Sequence, residues 1–183
     1  MTMSFRIPCA IAALALVAGC STVGGGGMPT QRGTSVTRIH LGGEIVRGQV
    51  AVEPRSTTQA VGGVYAPGFG VTVATELRTL GFAPAANPAA SEFIATVDVA
   101  TGTGPALAGR APAMPGETMA AAGDSTQLAV QLKRRSDGSI VWEGRARAPA
   151  RAGTVPSTRT VQTLARALFK DFPGESGRTI LVQ

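Results

Sequence analysis

The chain has 183 residues, 44% of them hydrophobic and only 4% aromatic, with 24 glycines and 12 prolines. Seventeen Lys and Arg against 11 Asp and Glu give a formal charge of +6, and Lys133 and Lys170 are the only lysines. A single histidine, His40, cannot build a metal cluster, and an arginine-rich balance admits nucleic acid, anionic lipid or acidic polymer as partners, although a GC-rich genome yields the same composition.

Arg6 precedes an apolar run from Ile7 to Ala18. That run is shorter than the roughly 20 residues a bilayer span needs, and it fits the core of an export signal. It closes on Val17-Ala18-Gly19-Cys20. This tetrapeptide resembles the lipobox of bacterial lipoproteins, whose cysteine is acylated and becomes the first residue of the mature protein. The resemblance implies a signal peptide over 1–19 and a palmitate-bearing membrane anchor at Cys20. With Ser21 next rather than Asp, it also implies sorting to the Gram-negative outer membrane, facing the periplasm. Cys9 then leaves with the signal and Cys20 is consumed as a thioether. No thiol remains for a disulfide, a nucleophile or a zinc site. Export removes most nucleic acid from consideration. Lipopolysaccharide, phospholipid heads and peptidoglycan stay as anionic partners.

Residues 20–35 hold Gly24-Gly25-Gly26-Gly27 and almost no apolar anchor. They read as a flexible tether, about fifteen residues of coil reaching about 20 Å. One domain over 36–183 follows. Thr37–Leu41 and Gln49–Glu53 read as strands, with Gly42-Gly43 as a turn signal between them. Phe69, Val73, Leu77 and Leu80 recur at helical spacing and predict a helix to Phe82, stopped at Gly81. Phe93, Ala95, Val97 and Val99 alternate, predicting a strand over Phe93–Ala100. The Gly/Pro-rich stretch 101–124 breaks all periodicity and reads as a long loop.

Leu128, Val130 and Leu132 alternate, and so do Ile140, Trp142, Gly144 and Ala146. Placing both apolar sets on one face puts Leu132 opposite Trp142. Arg135 and Ser139 then form the last pair around a three-residue loop, with Gly138 at its left-handed position. The outer face of this hairpin presents Lys133, Arg135, Arg145 and Arg147, a possible anion-contact surface. Val161, Leu164, Leu168 and Phe172 form the stripe of a second helix over Thr158–Phe172, which Pro173-Gly174 ends. Thr179–Val182 adds a short strand.

Four segments carry a family resemblance. They are Glu76-Leu77-Arg78-Thr79-Leu80-Gly81-Phe82, Phe93-Ile94-Ala95-Thr96-Val97-Asp98-Val99, Asp137-Gly138 with Val141-Trp142-Glu143-Gly144-Arg145-Ala146, and Ala167-Leu168-Phe169-Lys170-Asp171-Phe172-Pro173-Gly174. In this order the chain resembles bacterial lipoproteins of the domain of unknown function 4136 family. The resemblance implies an α+β domain with a mixed or antiparallel sheet of about four to six strands and two helices packed on one face. It carries no catalytic residue.

The residues themselves assemble no catalytic set. Gly174-Glu175-Ser176-Gly177 misses the nucleophile-elbow spacing. Gly102-Thr103-Gly104 runs into Pro105 where a dinucleotide loop needs a helix. Nothing in the pattern joins Asp98 to Glu143. Trp142, flanked at period two by apolar positions, belongs to the core. No cofactor or metal is expected. The expectation is a lipid-anchored envelope protein with a non-enzymatic structural, binding or assembly role. It would touch anionic envelope components or another envelope protein. A hydrolase of envelope polymers and a module for a small apolar ligand stay open as other classes.

Overall fold

Alternating apolar residues build one face of a mixed sheet, and two amphipathic helices cover that face. The computed structural model describes residues 33–55, 67–103, 124–151 and 153–183. Cys20, the glycine tract, Tyr65 and residues 104–123 lie outside the described residues. The strands are β1 (Thr34–His40), β2 (Gln49–Pro54), β3 (Ala83–Pro84), β4 (Phe93–Thr103), β5 (Asp124–Arg134), β6 (Ile140–Pro149) and β7 (Thr179–Val182). The helices are α1 (Pro67–Thr79) and α2 (Thr158–Phe169), and a 3-10 turn spans Pro88–Ala90.

The α+β class is the expected one, but the sheet has seven strands among the described residues, in the order β3-β2-β4-β5-β6-β1-β7. The expectation of four to six falls short because Ala83–Pro84 adds a two-residue edge to β2, while Thr179–Val182 pairs with β1 as the sixth expected strand. Gly42-Gly43 does not fold β1 back onto β2. Three strands separate them, because β1 pairs with β6 and β7 while β2 pairs with β3 and β4. β2 and β4 are parallel, a pairing that needs a crossover, and α1 lies in that connection. β1 opens at Thr34, so residues 34 and 35, read as tether, belong to the sheet. β4 runs on to Thr103 and β5 opens at Asp124, so residues 101–103 and 124, read as loop, belong to strands; the rest of that reading lies outside the described residues.

The inner face is dry. Ala95, Val97, Leu128, Val130, Leu132, Trp142 and Ala146 are at most 1% exposed. Phe69, Val73 and Leu77 of α1 and Val161, Leu164 and Leu168 of α2 close over them, also at most 1% exposed. The Thr72 and Thr75 hydroxyls donate back to the Gly68 and Val71 carbonyls at 2.9 Å, which lets β-branched residues sit in α1. Ser157 caps α2 by accepting from the Thr160 amide at 3.1 Å. The two helices run side by side in parallel. Gly68 lies next to Thr158 near their starts, and Arg166 meets Glu76 at 3.6 Å two turns on.

α2 stops at Phe169, three residues before its predicted end. The cause is Arg38, 3% exposed on the inner face of β1. Its Nε donates to the Leu168 carbonyl at 2.8 Å, and one terminal nitrogen donates to Ala167 at 2.9 Å and Lys170 at 3.0 Å. These carbonyls are ones the helix end leaves without an intrahelical partner. Burial lowers the Arg38 pKa from its ordinary value, and the Asp171 carboxylate opposes that shift. Asp171 turns the chain at φ 55°. Phe172 then folds back onto Trp142, with ring centroids 5.2 Å apart, and the Trp142 indole donates to the Pro173 carbonyl at 3.0 Å.

The register gives the sheet two distinct ends. One, here the entry end, carries the start of β1, Thr103 opposite Asp124, Ser125 opposite Pro149, and both helix N-termini. The other, the hairpin end, carries His40 opposite Trp142, Phe93 opposite Arg134, and the α2 C-terminus.

Two substitutions test this packing. Arg38→Met keeps the bulk but strands two buried carbonyls and a half-buried one, and urea denaturation should show a loss of about 3 kcal/mol. Gly144→Ala should cost about 2 kcal/mol by overpacking, because a Cβ there would sit 2.8 Å from Leu168 Cδ1 and 2.9 Å from Trp142 Cζ2.

Candidate functional site

The face opposite the helices is polar and internally bonded. Asp98, Ala129, Arg145, Thr37 and Thr179 form one row across five strands. Thr96, Gln131, Glu143 and Ile39 form the row beside it. Arg145 donates to Glu143 at 3.1 Å, Gln131 donates to the other Glu143 oxygen at 3.1 Å, and Arg55 reaches Gln131 at 3.3 Å. Thr37 and Thr179 share a hydroxyl bond of 2.7 Å. Arg147 Nε donates to Gln127, itself 1% exposed, at 2.7 Å.

These bonds change the standing of the predicted basic cluster. Leu132 faces Trp142 as expected, and Gly138 takes a positive φ. The register then shifts, and Lys133 pairs with Ile140, leaving Val141 as the extra residue of a bulge. Arg134 therefore bonds to Ser139 at 2.8 Å, and the loop holds four residues, 135–138, not three. Arg135 leaves the outer face. It donates to the Ser91 carbonyl at 3.0 Å and the Pro88 carbonyl at 2.7 Å, and lies 3.8 Å from Glu53. Arg145 is 3% exposed and committed to Glu143. Of the four expected anion contacts, Lys133 alone is exposed. The sequence signal placed Arg145 and Arg147 on the right face, misplaced Arg135 and was silent about the partners, because Gln127, Gln131 and Ser91 become neighbours only in the folded chain.

Glu143 and Asp98 do share the outer face. They sit in adjacent rows two strands apart, with Glu143 bonded to Arg145 and Gln131. His40 Nε2 donates to the Gly174 carbonyl at 3.0 Å, and its Nδ1 accepts from the Gly42 amide at 3.2 Å. The second contact fixes Nδ1 as the acceptor, so Nε2 carries the proton and donates. His40 is thus a fastener of the loop after α2. Gly102 and Thr103 remain in β4, opposite Ser125 and Asp124, and open no phosphate loop.

The hairpin end holds a groove of about 580 Å³. Leu41, Ile45, Val46, Phe93 and Val141 supply its apolar lining, with Arg134 and Arg135 beside them. Leu41 is 85% exposed and Val46 69%. The sequence reading missed this groove, because Leu41 and Val46 lie in a loop without periodicity. The hairpin tip that borders it is braced by Asp137. The Asp137 carboxylate accepts from the Ser139 amide at 2.9 Å and the Ser139 hydroxyl at 2.7 Å, and Arg134 lies 3.0 Å away. The two Ser139 bonds, then Arg134, pull its pKa down to about 2.

No protein-family model matches the chain. A stretch of 56 residues is 48% identical to an uncharacterized protein of Zymomonas mobilis, covering 30% of this chain and 21% of that protein. The chain therefore matches about a fifth of that relative's length. Among solved structures, a PDZ domain protein from Parabacteroides distasonis is 9% identical with a TM-score of 0.51, over 81% of this chain and 38% of that one. That is a likeness of fold. A PelC dodecamer from Paraburkholderia phytofirmans is 13% identical with a TM-score of 0.41, over 74% of this chain and 94% of that one.

Two predictions separate buried from solvated charge. Glu143→Ala leaves Arg145 buried beside a missing partner and should cost about 2 kcal/mol by denaturation, whereas Lys133→Ala should stay within about 0.5 kcal/mol. The lowered Asp137 pKa means its bonds to Ser139 persist below the ordinary carboxylate range and are lost only as pH falls through about 2. In an NMR titration the Ser139 amide should therefore move with a midpoint near 2 and not near 3.8.

Proposed function

We propose that this chain is an outer-membrane lipoprotein of the Gram-negative envelope, acylated at Cys20. Its α+β domain faces the periplasm and acts as a non-enzymatic binding or assembly part. The resemblance to the domain of unknown function 4136 lipoproteins belongs to the same reading. One observation carries it. The lipobox-like Val17-Ala18-Gly19-Cys20 stands shortly before β1, which enters the sheet at one end, while the open groove with Leu41 and Val46 lies at the opposite end. An acylation signal ahead of a domain with an open apolar groove suits an envelope protein with a binding or assembly role.

The contact surface in this reading is the hairpin end. Arg145 and Arg147 are engaged within the sheet and the tip arginines have partners of their own, so of the expected basic face Lys133 is left to meet an envelope component beside a groove that also holds Glu44 and Glu92. A second reading follows from the groove itself. Its volume lies within the 300–1,000 Å³ range of small-molecule sites, and its exposed Leu41 and Val46 suit a small apolar ligand.

The anchor is tested by Cys20→Ser and cell fractionation. The expected result is release from the membrane pellet and loss of palmitate labelling; retention in the pellet would overturn the reading. The contact surface is tested by Leu41→Asp with Val46→Asp. Retention on isolated envelope fragments should fall by at least about tenfold, given the apolar area removed, and unchanged retention would count against the groove.

A further inference from the structure

The entry end has a character of its own. Val71, the fifth residue of α1, is 66% exposed, and Val155, three residues before α2, is 63% exposed. Arg151 and Arg159 flank Val155 and are both exposed. Neither helix has an acidic residue in its first turn. Among the described residues, Asp124 is the sole carboxylate side chain at this end. Glu44, Glu92, Asp137, Asp171 and Glu175 all belong to the hairpin end, as the register and the loop contacts place them.

We propose that the entry end docks on an anionic phospholipid surface, with Val71 and Val155 at the headgroup boundary and Arg151 and Arg159 against the phosphates. The proposal rests on the lipoprotein reading above and deepens it. Residues 21–33, thirteen in all, join Cys20 to β1. That length ends at the face carrying these four side chains. A leash of this kind holds the face at an effective concentration in the millimolar range beside the bilayer. Weak surface contacts then suffice, and two exposed arginines meeting negative surface potential are such contacts. Two valines supply modest apolar burial. The same orientation turns the groove away from the bilayer, where an envelope component can reach it.

The test uses the acylated full chain, purified from membranes and reconstituted in vesicles. Acylation of Cys20 leaves an introduced thiol as the one reactive site. An environment-sensitive dye is placed at Val155→Cys and, in a separate chain, at Leu41→Cys. On phosphatidylglycerol-containing vesicles the emission at position 155 should shift to the blue, and that at 41 should not. High salt should reverse the shift. Arg151→Gln with Arg159→Gln should weaken it by on the order of tenfold. Flotation with the vesicles but no shift at 155, or equal shifts at both positions, overturns the docking and leaves the anchor standing. Failure to float overturns the anchor and the docking with it.

Discussion

The fold depends on one buried cation that closes a helix from another element. Arg38 stands on β1 and reaches the last carbonyls of α2, more than a hundred residues away in sequence. A helix end placed over an apolar sheet cannot turn to water for those bonds. The guanidinium has five donors in a rigid fork and serves three carbonyls at once. By ending α2 at Phe169 it frees the next residues to reverse. Phe172 then reaches Trp142 and Phe82, and the ring cluster closes the hairpin end of the core. Arg47 lies over both Phe82 and Phe172 from the far side. A single charged residue thus links the β1 strand, the α2 terminus and the largest aromatic contacts.

The two faces of the sheet solve the same problem in different ways. The helix side is filled with aliphatic and aromatic side chains, and burial there is non-directional. The outer side carries polar and charged groups that bond to one another. Gln131 on Glu143, Arg147 on Gln127 and Thr37 on Thr179 are cross-strand arrangements, and Arg145 meets Glu143 along β6. This is why a strip that reads as basic in sequence is not a cationic surface. Net charge describes the chain, while surface potential depends on which cations already have partners. Where pairing stops, one end of the sheet carries an apolar groove and the other exposed valines and arginines.

The hairpin shows how a small departure in register redistributes function. Leu132 opposite Trp142 follows from the alternation of both strands. One extra residue, Val141, then moves Arg135 from the outer face to the 3-10 turn at Pro88–Ala90. Period-two reasoning assumes an unbroken ladder. A bulge is a local exception, and alternation does not announce it.

Local pattern was enough for the elements, because helix and strand periodicities are written in neighbouring residues. The stripes of α1 and α2, the alternation of β4 to β6 and the core place of Trp142 were all legible in that way. Strand order, the separation of β1 from β2, the burial of Arg145 and the task of Arg38 were not. Each of these depends on which distant residue supplies a partner for a polar group removed from water. That choice is made only when the sheet is assembled, since hydrogen bonds across strands and from strand to helix carry no mark in the local sequence of either partner.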